Sequence, residues 1–369
     1  MEGERKCPVR WFPVYARRLT PIGIDVGGSS IKAAQLSRTR EGYQLDAAIV
    51  LPRPEPVEEL DLTTTLRLRQ VLLEKGFKGR SIVLGVPGHR LESEVLDLPA
   101  RTNAPIDALL RAELHRLHEL DADSFEMAHW QLPSAAQNDA ATSSVMAVAA
   151  PSVDLERLMD VFEDAGFHVQ AIDAPCCAIA RACREMISRC DLTKHDIRPG
   201  VNVILDLGSD ATLLVMTHDD EVLHQRVLTG LSGLGLRKAV VERFGLSAEI
   251  AEELLKEACI DASHTARPES VHAAWTRNLM VRHADILASE VKKAVCEALG
   301  RHPKLRLARV ILSGGGAHTV GMDVYLGARF ATETLVARPR DLVRCPAALT
   351  NLGAMPMLAC AIGLARWGE

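Results

Sequence analysis

The chain has 369 residues, is 47% hydrophobic, and carries 43 basic against 48 acidic side chains, for a net charge of −5. That length and apolar content can bury a large core in two lobes, while the mild acidity, with no long basic run beyond the N-terminus, argues against bulk nucleic-acid binding. Nine cysteines (Cys7, Cys176, Cys177, Cys183, Cys190, Cys259, Cys296, Cys345, Cys360) show no Cys-x-x-Cys spacing and several fall in apolar helical patterns, so they read as buried reduced thiols rather than disulfides or zinc ligands.

Residues 1–20 are charged throughout with no apolar core, so they read as a lead-in and not as a secretory signal. Within them Trp11, Phe12 and Tyr15 stand among Arg10, Arg17 and Arg18, a stretch that either touches a membrane surface or packs on the fold. An apolar run then ends in Asp25-Val26-Gly27-Gly28-Ser29-Ser30-Ile31-Lys32. This predicts a β-hairpin with a glycine turn and a carboxylate at its tip. Bare backbone at Gly27 and Gly28 can cradle a phosphate, and Asp25 can reach a hydrated Mg²⁺. The hairpin continues over 33–36, turns at 38–42 and resumes over 43–50, and a Pro-rich segment at 51–56 closes the unit. Residues 63–75 read as a helix with Leu66, Val71 and Leu72 among its apolar positions, and 81–88 as a short buried strand ending at a turn.

The character changes over 89–144, which reads as an inserted subdomain: a β-like stretch at 91–98, an amphipathic helix from Pro105 using Leu110, Leu114 and Leu117, and a polar loop at 133–139. Buried-strand composition returns at 145–150. Ser152 is the expected N-cap of a helix carrying Leu155, Leu158, Met159 and Phe162 that Gly166 stops. A strand at 167–172 leads through Asp173 and Pro175 into a helix reaching about Cys190.

The second half repeats the plan. Ile204-Leu205-Asp206-Leu207-Gly208-Ser209-Asp210-Ala211-Thr212 again places Asp-x-Gly after an apolar run, within a hairpin spanning 201–227. A glycine-rich passage at 230–235, helices within 236–258 and a long helix over 270–299 follow. After a buried strand at 305–312 comes Ser313-Gly314-Gly315-Gly316-Ala317, with a helix expected over 322–330. Consecutive glycines between strand and helix let a flat adenosine or a phosphate lie on bare backbone at a helix N-terminus. Residues 345–365 carry no charge, but Pro346, Thr350, Asn351, Gly353 and Pro356 interrupt them, so a loop and a buried helix are expected there rather than a membrane span. Alternating β and α elements in two related halves predict two sheet-and-helix lobes around a cleft.

In order, the three glycine loops resemble the phosphate-1, phosphate-2 and adenosine motifs of the actin, Hsp70 and sugar-kinase superfamily. Together with Val86-Pro87-Gly88, Asp164-Ala165-Gly166-Phe167, Asp173, Ala180-Arg181-Ala182 and Ala361-Ile362-Gly363-Leu364-Ala365-Arg366, they are similar to the type IV pilus assembly family PilM over roughly residues 21–366. That family is itself similar to the division protein FtsA. The resemblance implies an actin-like (ribonuclease H-like) two-lobed α/β fold, with lobe 1 over 21–195, an FtsA/PilM-type insert at about 89–144, and lobe 2 over 196–369 with a helical subdomain at about 230–300. It implies ATP with Mg²⁺ in the cleft. Asp25 and Asp206 would hold the metal through water, and Gly27, Gly28, Ser29, Ser30, Gly208, Ser209 and Thr212 would line the phosphate loops. Gly314, Gly315 and Gly316 would border the adenosine. Lys32 would approach phosphate oxygens or remain a solvated hairpin lysine, and Glu253 with Lys256 would face the ribose or base or form an exposed helical pair.

The expected role is a cytoplasmic scaffold, peripheral at the inner membrane, that binds the N-terminal cytoplasmic tail of a PilN-like single-span protein in a groove between the first lobe and the insert. Hydrolysis is expected to be slow at most, and no residue is assigned to it. Asp173 lies near the position that would orient a water, and equally suits a helix N-cap. Asp210 departs from the family pattern: unless turned away or joined to the metal, its charge repels a triphosphate. Glu252 also departs, standing where the family often has alanine. The alternatives are a small-molecule kinase of the same superfamily and a fold that has lost its nucleotide.

Overall fold

The computed structural model describes residues 18–53, 60–99, 104–118, 121, 124–133, 142–191, 200–260 and 271–369. Cys7, the stretch around Trp11 and most of the polar loop at 133–139 lie outside them. The first half opens with β1 (Arg18–Leu19), β2 (Ile22–Val26), β3 (Ser30–Thr39) and β4 (Gly42–Pro52), followed by α1 (Leu62–Glu74) and β5 (Ser81–Gly85). β2 and β3 are buried on both faces along most of their length, through Ile22, Ile24, Ile31, Ala33, Ala34 and Leu36. Asp61 caps α1, accepting from the Thr64 N–H at 2.8 Å.

The insert comprises β6 (Glu92–Pro99), α2 (Ile106–His118), β7 (Phe125–Gln131) and β8 (Thr142–Pro151); α3 (Ser152–Asp164), β9 (His168–Asp173) and α4 (Pro175–Asp191) complete the half. The first sheet has the order β1-β3-β2-β5-β9 with β4 on β3, and β5 and β9 run parallel to β2. The second half repeats this layout with β10 (Gly200–Leu207), β11 (Thr212–His218), β12 (Glu221–Leu228), α5 (Gly233–Phe244), α6 (Ala248–Glu257), α7 (Val271–Arg301), β13 (Arg306–Ser313), α8 (Met322–Phe330) and β14 (Thr334–Val336). Its sheet order is β12-β11-β10-β13-β14.

Two short helices, α9 (Pro339–Leu342) and α10 (Ala359–Ala365), end the fold. Every residue of α10 is buried, and among the described residues no helix is long and apolar enough to cross a membrane. Sequence order groups α10 with the second half, yet it packs on β2, β3, β5 and α4 of the first. Arg181 ties it there, donating from Nη1 to the Gly363 carbonyl at 2.8 Å and to Asp173 Oδ2 at 2.9 Å. α4 and α10 form the layer between the sheets, where Ala34, Leu36 and Leu45 of the first join Ile204, Val215 and Ile311 of the second.

The insert forms a third sheet, β6-β8-β7. One face packs on α2 through Leu110, Leu114, Phe125, Val145 and Ala147. On the other, Leu132, Met146 and Val148 join the second lobe's core with Met216 and Leu223, and Trp130 Nε1 donates to the Val222 carbonyl at 2.8 Å. α3 of the first lobe packs against β7 and β8. The insert therefore touches both lobes, not the first alone. A cavity of about 180 Å³ lies at its junction with the second, and the buried Gln225 amide facing it has no hydrogen-bond partner.

Three local expectations change. Leu66 is 47% exposed, and the buried stripe of α1 is Thr65, Leu68 and Leu72. Leu117 is likewise exposed, leaving Leu110 and Leu114 to anchor α2. Ser152 does not cap α3: it is the first helical residue, and its N–H donates to the Ser124 carbonyl instead. The described cysteines are free thiols, and burial pushes the Cys183 thiol up to about 12.

The closest backbone approach gives a test. A Cβ at Gly363 would lie 1.8 Å from the Ala178 carbonyl oxygen, whereas one at Gly300, in α7, meets nothing within 4 Å. We expect Gly363→Ala to cost about 3 kcal/mol or more and Gly300→Ala to be neutral or to stabilise by up to about 1 kcal/mol, read as denaturant midpoints. Equal effects would contradict the packing of α10 on α4.

Candidate functional site

Strand register builds the centre of the site. Asp25 on β2 stands directly across from Lys32 on β3, which brings Lys32 Nζ to 3.2 Å from Asp25 Oδ2 with the side chains only 15% and 21% exposed. Asp206 occupies the matching place on β10, where its antiparallel neighbour is Leu213, and its parallel neighbour Ser313 donates Oγ to Asp206 Oδ1 at 2.9 Å. Burial draws the Lys32 ammonium down, but Asp25 and then Asp206 outweigh it, so its pKa ends above the ordinary lysine value. Burial, with Asp25 adding to it, raises Asp206 above the usual carboxylate value; Lys32 and Ser313 oppose that rise. One lysine thus answers two carboxylates from two lobes.

The glycine loops close around this triad. In the first, the Gly27 N–H donates to the Ser30 carbonyl at 3.1 Å, and a Cβ on Gly27 would lie 2.3 Å from Lys32 Nζ. In the second, the Gly208 N–H donates to the Ala211 carbonyl, while the Gly208 and Ser209 carbonyls accept from Gly233 and Leu234 at the start of α5. The third takes φ +79° at Gly314, where a Cβ would meet Asp206 Oδ1 at 2.5 Å, and a Cβ on Gly316 would meet Leu207 at 2.7 Å. Gly315 has open space, with only Met357 Cε at 3.9 Å. The third loop runs into a short 3₁₀ turn, Gly315–His318, so α8 starts at Met322 and not directly at the glycines.

Asp210 is turned inward. A Cβ on Gly28 would lie 1.9 Å from its Oδ2 and 2.0 Å from its Oδ1, so the second loop's extra carboxylate rests against the bare backbone of the first. Sequence reasoning missed Arg53, which answers it. Arg53 Nη1 donates to the Gly27 carbonyl at 2.8 Å and its N–H to the Ser29 carbonyl at 3.0 Å. Burial pulls its pKa down and Asp210 supports its charge.

The remaining expected residues divide. Ser29 and Ser209 lie within the loops, and Ser30 starts β3, buried. The Thr212 hydroxyl is 2% exposed and donates to the Leu231 carbonyl at 2.7 Å, which keeps it from a ligand. Glu253 is exposed, and Lys256 pairs with Glu252 at 2.6 Å rather than with Glu253. Glu252 also accepts from Arg237 on α5, so its carboxylate links the two helices. Asp173 stands two residues ahead of α4 and pairs with Arg181, whose Nη1 lies 2.9 Å from its Oδ2.

Residues 23–367 match the family model of the type IV pilus assembly protein PilM. The chain belongs to that family. A solved PilM–PilN type IV pilus biogenesis complex is similar with TM-score 0.76 at 19% identity, covering 94% of this chain and 98% of that one. The ethanolamine utilization protein EutJ from Carboxydothermus hydrogenoformans follows at TM-score 0.54 and 14% identity, covering 96% and 91%. MreB5 of Spiroplasma citri bound to AMPPNP gives 0.51 at 11% identity, covering 95% and 96%. At these identities the likeness is one of fold, and the fold is actin-like. It is the architecture that the paired glycine loops of this family member call for.

Removing the ammonium while keeping its stem isolates its role. In Lys32→Met, Asp25 and Asp206 face each other uncompensated, so Asp206 should titrate at a still higher pH. A carboxylate raised in the fold loses stability as pH climbs from the unfolded value, about 4, through the folded one. The variant should therefore be less stable than the parent by about 3 kcal/mol near pH 8 and by less near pH 5. Denaturant melts at both values check this, and a deficit independent of pH would contradict it.

Proposed function

We propose that the protein is an actin-like scaffold of the pilus inner-membrane platform that binds Mg·ATP in its cleft and holds the cytoplasmic tail of a PilN-like membrane protein. The observation that carries the nucleotide part is the convergence of Asp25 and Asp206 on Lys32 among three glycine loops. The residues fit the group: Cβ atoms are shut out at Gly27, Gly28, Gly314 and Gly316, and the oxygen donors are the kind that a hydrated Mg²⁺ takes. Asp25 and Asp206 would hold the metal's water shell and Lys32 would meet phosphate oxygens. Gly315, the unobstructed glycine, would face the adenosine. Bound Mg²⁺ would supply the countercharge that a triphosphate needs in so acidic a site. Asp210 would need to turn away from Gly28 as phosphate enters. The small-molecule kinase reading is not favoured, because the family match runs from residue 23 to 367.

Calorimetry tests the cleft. Asp206→Ala and Gly315→Val should each weaken Mg·ATP about tenfold or more, ~1.4 kcal/mol, the first by losing charge at the metal and the second by filling open space without a clash. Asp210→Ser should tighten it by roughly tenfold, since a carboxylate leaves the cradle. No heat and no retained nucleotide in the parent protein would overturn the reading.

The tail is the proposed occupant of the groove along α3, which packs against both β7 of the insert and β9 of the first sheet. β7 and β9 are outer strands of their sheets among the described residues, so each offers a main-chain edge to an extended peptide. Val153, 51% exposed near the start of α3, supplies apolar surface beside them. Val153→Asp should weaken capture of a synthetic PilN-like tail about tenfold while leaving Mg·ATP binding unchanged. Removing the insert through the end of β8 is a poor test, since it would strip Met146 and Val148 from the second lobe's core. Undiminished capture by Val153→Asp would place the tail elsewhere.

A further inference from the structure

A second cavity, of about 630 Å³, opens at the far end of the first lobe, where the β3–β4 turn meets α4 and the residues after α10. Arg38 comes from the end of β3, Arg40 from the turn, Arg184 from α4 and Arg366 from the chain just past α10; Glu185 and Glu369 are the acidic groups lining the same space. The lining therefore holds four arginines against two glutamates, with Arg184 also paired to Asp220 at 3.3 Å. Arg366 is 4% exposed and clamped, donating from Nη2 to Glu185 Oε1 at 3.1 Å and from Nε to Glu369 Oε2 at 2.8 Å. Its guanidinium lies 5.0 Å over the Tyr43 ring, which also lines the cavity. Its buried Nη1 has no hydrogen-bond partner. A planar, preorganised cation with an orphaned donor, ringed by further arginines, is built for an oxyanion.

Two neighbours indicate which oxyanion. Trp367, directly after Arg366, is 38% exposed, and an aromatic ring with a polar edge beside clustered arginines suits the headgroup level of a bilayer. Arg18 stands across from Arg38 in the β1–β3 register and adds a further cation at this end. We propose that this arginine cavity binds the phosphodiester headgroup of an acidic phospholipid, giving the protein a membrane contact of its own, separate from the nucleotide cleft and from the α3 groove. One such contact is weak alone and becomes a firm anchor only beside a second signal, here the membrane partner.

The test is vesicle flotation of the full chain, without nucleotide or partner. It compares vesicles of phosphatidylglycerol mixed into phosphatidylcholine with phosphatidylcholine alone. The protein should float with the acidic vesicles only, and less so as salt rises. Arg38→Glu/Arg40→Glu should reduce binding at least about tenfold, since each surface arginine is worth roughly a fivefold change in affinity for an acidic bilayer; Trp367→Ala should reduce it severalfold. Arg38→Gln/Arg40→Gln, which adds no new charge, should give a smaller loss in the same direction and guards against misfolding of the reversal variant. Equal flotation on neutral vesicles, or unchanged flotation of both arginine variants, would overturn the proposal. So would capture of inorganic phosphate or of an oligoglutamate peptide by a protein that ignores the acidic vesicles.

Discussion

A single ammonium shared by two carboxylates sets the geometry of this molecule. Lys32 Nζ lies 3.2 Å from Asp25, a separation worth roughly 5 kcal/mol of attraction at the effective dielectric of a partly buried site. Dehydrating each ion costs several kcal/mol, so that pair alone would gain little. The second carboxylate, Asp206, comes from the other lobe and tips the balance toward the charged lysine. Holding the three groups together requires the ends of β2 and β10 to face each other. Backbone then approaches side chain so closely that Gly27 and Gly314 leave no room for a Cβ.

The two halves repeat one layout but divide the chemistry. Across from Asp25 stands lysine; across from Asp206, at the matching register, stands Leu213. The first lobe supplies the central cation for both, and the second supplies Ser313 to hold its own carboxylate in place. The extra charge of Asp210 reaches over to Gly28 of the first loop, where Arg53, bonded to the Gly27 carbonyl, feels its charge. Opposed charges thus span the cleft at two levels. Behind them α4 and α10 supply an apolar layer common to both sheets.

Much of this was legible in the sequence because it is local. The Asp-x-Gly turns, the triple glycine, the inserted segment and the uncharged tail with its buried helix each follow from residues within one stretch, and Met322–Phe330 forms the helix its pattern calls for. What escaped is non-local. Arg53 sits in a Pro-rich segment with no motif of its own, and only the β3–β4 pairing carries it back to Gly27. Lys256 has carboxylates three and four residues before it, and Arg237 on another helix fixes Glu252 as the one that turns to it. The hydroxyl of Thr212 reads as a loop ligand in sequence and is consumed by Leu231 in space. Leu66 and Leu117 fit a helical stripe but fall on its solvent edge, where a Leu is tolerated. The contact of α10 with the first sheet spans most of the chain, and no periodicity announces it.

The insert shows the same economy of surfaces. Its sheet covers α2 with one face and the second lobe with the other, so a segment that begins and ends in the first lobe bridges both. The central claim, that the three glycine loops act as one ligand site, is tested most directly by hydrogen exchange of the backbone amides with and without Mg·ATP. The account predicts simultaneous protection at 27–30, 208–211 and 314–317, with the amides of β7 unaffected by direct contact. Protection confined to one loop, or absent from all three, would contradict it.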